Sequence, residues 1–214
     1  MKKRVQNWNQ LHSISMLGAL LTVIGTRNYH FLPVFFFVSI VLFFIQNRQE
    51  KHLWSYANRV TLFRLGLILM ASWYLKEWNS TVLLLFLSVA LALDGLDGYL
   101  ARKYNQTSEF GAYLDMETDS FFVAILALWW WQNEITGWWI LIIGFMRYIY
   151  VLIFMVVKSK GKEKSTHFAK TIAVVFMIGM LCPMVLPINI SYWILVGVSI
   201  LTTYSFGISF MSRI

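Results

Sequence analysis

The 214-residue chain reads as an all-α integral membrane protein of about eight transmembrane helices, and three observations lead there. Only 13% of its residues are charged and 58% are hydrophobic, against roughly a quarter charged in a soluble domain. Apolar segments recur from end to end, most near the ~20 residues that cross a bilayer. Lysines and arginines gather on alternate connections, as a fixed orientation in an anionic membrane requires.

The segments fall at roughly 11–26, 30–46, 59–76, 80–100, 109–131, 137–157, 168–186 and 190–211. The first follows Lys2, Lys3 and Arg4, as a signal peptide would, but only Gly25-Thr26-Arg27-Asn28 follows it. No small-x-small cleavage site is present there, so a retained helix paired with the second segment is expected. Asn47 to Ala57 is polar and basic with Trp54 and Tyr56, suiting a helix along the headgroup region or a simple linker.

With eight crossings, one side collects Lys2, Lys3, Arg4, Arg48, Lys51, Arg59, Arg102, Lys103, the run Lys158 to Lys170, and Arg213. The other side collects little beyond Arg27 and Lys76. Both termini and the Arg102 loop are therefore expected on the cytoplasmic side of the inner membrane. The net charge of +8 is accounted for by orientation. The basic residues form no stripe with interleaved aromatics, so nucleic acid is not an expected partner. A single cysteine, Cys182, excludes an intrachain disulfide, and beside Pro183 it reads as a packed small hydrophobe.

All four aspartates, Asp94, Asp97, Asp115 and Asp119, flank one short connection between two spans. Residues three and four apart share a helix face, so each pair projects together. Helices joined by a short connection can be neighbours, which brings four carboxylates to one end of the membrane. Their repulsion calls for cations. Hard oxygen ligands without His or Cys favour Mg²⁺ or Mn²⁺ over zinc. A bland alternative pairs the acids with Arg102, Lys103 or Arg147; another makes them a proton or cation pathway, although transport sites usually lie near the midplane among broken helices.

Gly98, Ala101 and Gly111 leave room beside these acids, and Arg102 offers a fork of donors for phosphate oxygens. Helix packing and membrane anchoring explain the same residues equally well. Together they read Asp94-x-x-Asp97-Gly98-x-x-Ala101-Arg102, eight residues, then Gly111-x-x-x-Asp115-x-x-x-Asp119. This resembles the signature of the CDP-alcohol phosphotransferase family at all eight defining positions. Upstream, Asn58-Arg59-Val60-Thr61-Leu62-Phe63-Arg64 looks like the Asn-x-x-Thr-x-x-Arg opening of the family's first core helix.

The resemblance spans about residues 57–211 and implies a six-helix catalytic core (57–214) behind an N-terminal hairpin with its interfacial segment (1–56). It implies a homodimeric phosphatidyltransferase that displaces CMP from a CDP-alcohol, expected to be CDP-diacylglycerol, with the hydroxyl of a small polar alcohol. Glycerol 3-phosphate is the first acceptor considered; serine, inositol phosphate or another polyol would need the same chemistry. By resemblance, Asp94, Asp97 and Asp115 hold one ion and Asp94, Asp115 and Asp119 the other, with Asp119 also the general base. Gly98, Ala101, Arg102, Ser108, Gly111, Asn58 and Thr61 are assigned to the CDP part. Ser108 and Asn58 also suit helix caps.

Departures bear on the acceptor. Many glycerophosphate-accepting relatives carry a Pro and an Ala-Asp-Lys after the third aspartate, where this chain has Asp115-Met116-Glu117-Thr118-Asp119-Ser120-Phe121. Glu117 points away from the Asp115–Asp119 face and is expected to be a supporting or interface group. The hairpin before residue 50 is a further addition. Arg147 stands mid-span, where a charge must be satisfied, by an acceptor's phosphate or carboxylate or by an acid of the protein. The basic run Lys158, Lys160, Lys162, Lys164, His167 and Lys170 suits a solvated loop or recruitment of anionic acceptors.

Overall fold

A computed structural model describes residues 2–157 and 167–211, and the described residues are helical with short connections and no strand. The basic run from Lys158 to Lys164 and the C-terminal Arg213 lie outside the described residues. The chain divides into two compact units, Met1–Phe122 and Val123–Ile214.

The first unit holds α1 (Lys2–Thr26), α2 (Phe31–Gln46), α3 (Tyr56–Trp73), α4 (Ser80–Lys103) and the first half of α5 (Glu109–Gln132). The first two helices pair as expected, tied by the Trp8 indole, which donates to the Ser39 carbonyl at 3.0 Å. Their hairpin stacks on α5 through Phe36 on Phe121 (centroids 4.0 Å apart) and Phe43 on Phe110 (4.6 Å). Offset aromatic stacks of this kind add directionality to simple burial.

Between α2 and α3 the structure shows the linker of the two alternatives read from the sequence. Residues 47–55 form successive turns, with Glu50 N–H on Asn47 O, Leu53 N–H on Glu50 O and Ser55 N–H on His52 O, and no interfacial helix. Trp54 and Tyr56 are nonetheless exposed. The chain begins α3 where Ser55 caps it, its hydroxyl accepting from Asn58 N–H at 3.2 Å. Asn58 is therefore inside the first turn, and the capping role considered for it belongs to Ser55.

The second unit continues α5 and adds α6 (Trp139–Gly144), α7 (Met146–Val157), α8 (His167–Leu181), a 3-10 turn (Cys182–Val185) and α9 (Ile188–Met211). The single span expected over 137–157 is broken at Phe145. Next to the break, Gly144 lies against Ala127, where an added Cβ would collide with the alanine methyl. The Trp130 indole donates to Met180 O at 2.9 Å, tying α5 to α8. Cys182 is exposed, not packed: at the start of the 3-10 turn, the buried place goes to Pro183.

The outer surface carries large apolar side chains throughout, among them Leu21, Leu85, Trp193, Ile200 and Val156, the last 82% exposed. A soluble protein rarely shows so much contiguous apolar surface. Among the described residues, two helices are long and apolar enough to cross a membrane alone, Ser80–Lys103 and Ile188–Ile208. This is the composition and surface of a membrane protein. Several of the other helices are short or carry the charges of the site.

Candidate metal centre

Three helices of the first unit build the site. In α3, Asn58, Thr61 and Arg64 recur every three residues and are buried together on one side of the helix. In α4, Asp94 and Asp97 occupy the last turns, and α5 opens with Gly111, Asp115 and Asp119 in its first three turns.

A tight loop keeps α4 and α5 adjacent. Asn105 takes a left-handed backbone (φ 51°) just past the end of α4, with Gln106 N–H on Ala101 O at 2.9 Å and Asn105 N–H on Arg102 O at 3.3 Å. These are the two bonds of a Schellman end, for which Asn is a favoured residue after Gly. Ser108 then caps α5, its hydroxyl accepting from Gly111 N–H at 3.0 Å. The loop is fastened to the start of α3 by Tyr56 N–H on the Gln106 side chain at 3.1 Å.

The four aspartates converge as their spacing requires, and they converge on a residue to which the sequence reading gave no role. The Arg64 guanidinium reaches Asp94 Oδ1 at 2.7 Å, Asp97 Oδ2 at 2.8 Å, Asp115 Oδ1 at 2.9 Å and Asp119 Oδ1 at 2.6 Å. Arg64 is 1% exposed and Asp97 4%, whereas Asp94, Asp115 and Asp119 keep partial access. Thr61 Oγ1 lies 3.0 Å from Asp97 Oδ2 and 3.1 Å from the Ala57 carbonyl. The signal for Arg64 was available: an arginine within an apolar span needs an acid, and all four aspartates are close by in sequence.

The donor set fits a hard divalent cation. Asp94, Asp97 and Asp115 each offer a carboxylate oxygen, and the three oxygens lie within 4.8 Å of one another. Fully ionised, the four acids carry three negative charges beyond the one that Arg64 matches. Such an excess in a part-buried site calls for further cations.

Other assigned residues separate by their surroundings. Asn58 turns its amide N–H groups onto His52 O and Leu53 O, both at 3.0 Å, and a Cβ on Gly111 would come within 2.6 Å of Asn58 Oδ1. Gly111 is thus required by the close approach of α3 and α5. A Cβ on Gly98 would meet only the Arg102 guanidinium at ordinary distance, 3.7 Å, so the protein's own packing does not demand glycine there. Ala101 is half-buried and Arg102 exposed. Arg147 lies in α7, in the second unit, half-buried.

Glu117 is fully buried on the opposite side of α5 from Asp115 and Asp119. Its Oε2 lies 3.4 Å from His12 Nε2, and His12 Nδ1 is 2.7 Å from Ser39 Oγ. Glu117 is thus an interface group between the hairpin and α5, one of the two roles expected for it.

Residues 54–204 match the family model described as CDP-alcohol phosphatidyltransferase. The chain belongs to that family. Among curated members, a CDP-diacylglycerol--glycerol-3-phosphate 3-phosphatidyltransferase of Salmonella choleraesuis is 44% identical over 69 residues, 31% of this chain and 38% of the relative. One of that name from Yersinia pestis is 39% identical over 84 residues, 38% of this chain and 46% of the relative. A CDP-diacylglycerol--inositol 3-phosphatidyltransferase of Saccharomyces cerevisiae is 39% identical over 70 residues, 33% of this chain and 31% of the relative. The chain thus spans 31% to 46% of the length of these curated relatives. No solved structure matches it. The aspartate cluster lies inside the matched region, whereas α1 and α2 precede it.

Proposed function

We propose that this CDP-alcohol phosphatidyltransferase transfers a phosphatidyl group from CDP-diacylglycerol to the hydroxyl of a small polar alcohol, releasing CMP. The convergence of four aspartates from two helices within the family-matched region supports the reading. Asp94, Asp97, Asp115 and Asp119 would hold two divalent ions, Mg²⁺ or Mn²⁺. When bound, such ions neutralise the diphosphate and the charge that develops on the transferred group and the leaving CMP.

The chain's own residues supply the rest. Asp119 takes the proton of the acceptor hydroxyl as its oxygen bonds to the phosphorus of the diacylglycerol phosphate. The bond from that phosphorus to the bridging oxygen breaks, and CMP departs with the electron pair. The exposed Arg102, folded over Gly98, offers donors to the CDP phosphates, and the space at Gly98 that the protein does not fill suits the nucleotide. Ala101, Gly111, Ser108, Asn58 and Thr61 line or shape the same end. For Asn58, Ser108 and Gly111 the bonds and contacts described above supply a structural reason as well.

Glycerol 3-phosphate is the proposed acceptor, favoured by the names of two of the relatives, with an inositol compound the alternative that the yeast relative suggests. Arg147 would meet the acceptor's phosphate. We place the site and both termini on the cytoplasmic side of the inner membrane, with the catalytic core at 57–214, the hairpin and interfacial segment at 1–56, and a pair of copies as the working unit. The asymmetry of Lys and Arg between alternate connections supports the orientation.

The deciding experiment incubates purified protein with CDP-diacylglycerol, Mg²⁺ or Mn²⁺ and a panel of glycerol 3-phosphate, serine, inositol phosphate and other polyols, following CMP. Metal-dependent CMP release with one preferred acceptor is expected. No release with any acceptor would refute the enzyme reading.

A further inference from the structure

Arg64 is the charged residue at the site that the proposed chemistry does not use. A guanidinium carries five N–H donors in a rigid plane. Nε donates to the Ala90 carbonyl at 3.1 Å. Nη1 donates to Asp97 and Asp115, and Nη2 contacts Asp94 and Asp119, at the distances given above. Ala90 lies one helical turn before Asp94, so the backbone of α4 aims the plane of the fork independently of the carboxylates.

The fork engages one oxygen of each aspartate: Oδ1 of Asp94, Asp115 and Asp119, and Oδ2 of Asp97. The second oxygen of each carboxylate is outside it; that of Asp97 accepts the Gly98 N–H at 2.6 Å. Were incoming cations to displace Arg64, a guanidinium 1% exposed, with Leu65 and Ile68 buried on the same helix, would lose every carboxylate partner. Breaking a buried ion pair by removing one side is strongly unfavourable. Keeping Arg64 in place leaves the ion-loaded centre net positive, the sign that suits an anionic diphosphate.

We propose that Arg64 is a positioning residue for the divalent ions, a permanent cationic floor that stays bonded to one oxygen of each aspartate and orients the other oxygens toward the ions. The proposal rests on the metal reading of these aspartates. It makes metal loading an addition to a site already organised by the protein, with no exchange of arginine for metal.

The test uses the full-length protein in detergent and Mn²⁺ or Mg²⁺ alone as probe. Mn²⁺ binding followed by electron paramagnetic resonance is expected to weaken at least tenfold in Arg64→Lys, which keeps the charge and loses the planar fork. Unaltered or tighter Mn²⁺ binding in that variant overturns the proposal. A second measurement reads the metal response of the wild-type protein itself. In ¹⁵N-arginine-labelled wild type, the slowly rotating Arg64 Nη signals, identified by their shift in Asp119→Asn, are expected to persist through a Mg²⁺ titration. Their averaging on Mg²⁺ addition would show displacement and refute the floor. Wild type that binds no Mn²⁺ would overturn this proposal and the metal reading together, whereas equal binding by wild type and Arg64→Lys would overturn this proposal alone.

Discussion

Two buried polar clusters meet α5 from different sides, and they are built on opposite principles. On one side Asp115 and Asp119 join Asp94 and Asp97 around Arg64. Two residues from Asp115 and from Asp119, some 200° round the helix, Glu117 faces His12 of the hairpin. The second cluster is balanced: one imidazole faces one carboxyl, with Ser39 on the other ring nitrogen and both side chains sealed from solvent. The first is unbalanced, one cation against four acids, with three of the acids partly accessible. Balance and burial mark a contact that holds helices together. Uncompensated charge with an open side marks a place where something else binds.

The largest expected effects fall on the unbalanced cluster. Asp94→Asn and Asp115→Asn are expected to abolish both Mn²⁺ binding and CMP release, checked by equilibrium dialysis and the acceptor assay. Asp119→Asn is expected to keep part of the metal while turnover falls roughly 10²–10⁴-fold, the range for loss of a general base. Undiminished turnover in all three would remove the contrast between the clusters altogether.

The balanced cluster should behave as packing. Glu117→Ala is expected to destabilise by about 1–5 kcal/mol, because a buried polar contact between the hairpin and α5 is lost. The double replacement His12→Phe with Glu117→Leu is expected to recover most of that loss, since replacing both members of a buried pair by apolar groups can be nearly neutral. Denaturation with CMP release assayed in parallel reads both; a double variant that is stable yet inactive would move Glu117 into the catalytic machinery.

The two glycines sharpen the same distinction on a smaller scale. Gly111→Ala is expected to destabilise by about 1–3 kcal/mol, as overpacking does, because its methyl meets the Asn58 side chain. Gly98→Ala is expected to leave the melting temperature nearly unchanged and to raise the KM for CDP-diacylglycerol. Smallest of all, Ser108→Ala is expected to cost about 1 kcal/mol of stability through loss of the α5 cap, with turnover retained.

Helix positions were largely legible because apolar runs and polar punctuation coincide: α2, α4, α5 and α9 lie within a few residues of the segments read from sequence. The convergence of the aspartates was legible too, because i, i+3 and i, i+4 spacing on two consecutive helices leaves few alternatives. Less visible was whatever depends on a distant partner. Arg64 sits in the quoted Asn-x-x-Thr-x-x-Arg stretch, yet only packing shows it reaching Asp119, fifty-five positions away. The break at Phe145 carries no proline or polar marker; the close fit of Gly144 on Ala127 accompanies it. For residues 47–55, composition suited a headgroup helix or a linker equally, and only the local turns decide for the linker.

His12 also has a history in time. It is made early, and Ser39 joins it within the hairpin, but Glu117 is translated more than a hundred residues later. At ordinary rates of synthesis that interval is about 5–20 s. Throughout it, the Nε2 edge of His12 lacks the acid that the finished fold provides, at a depth where unsatisfied polar groups are costly. The pair that joins the hairpin to α5 therefore closes only once α5 itself has been made.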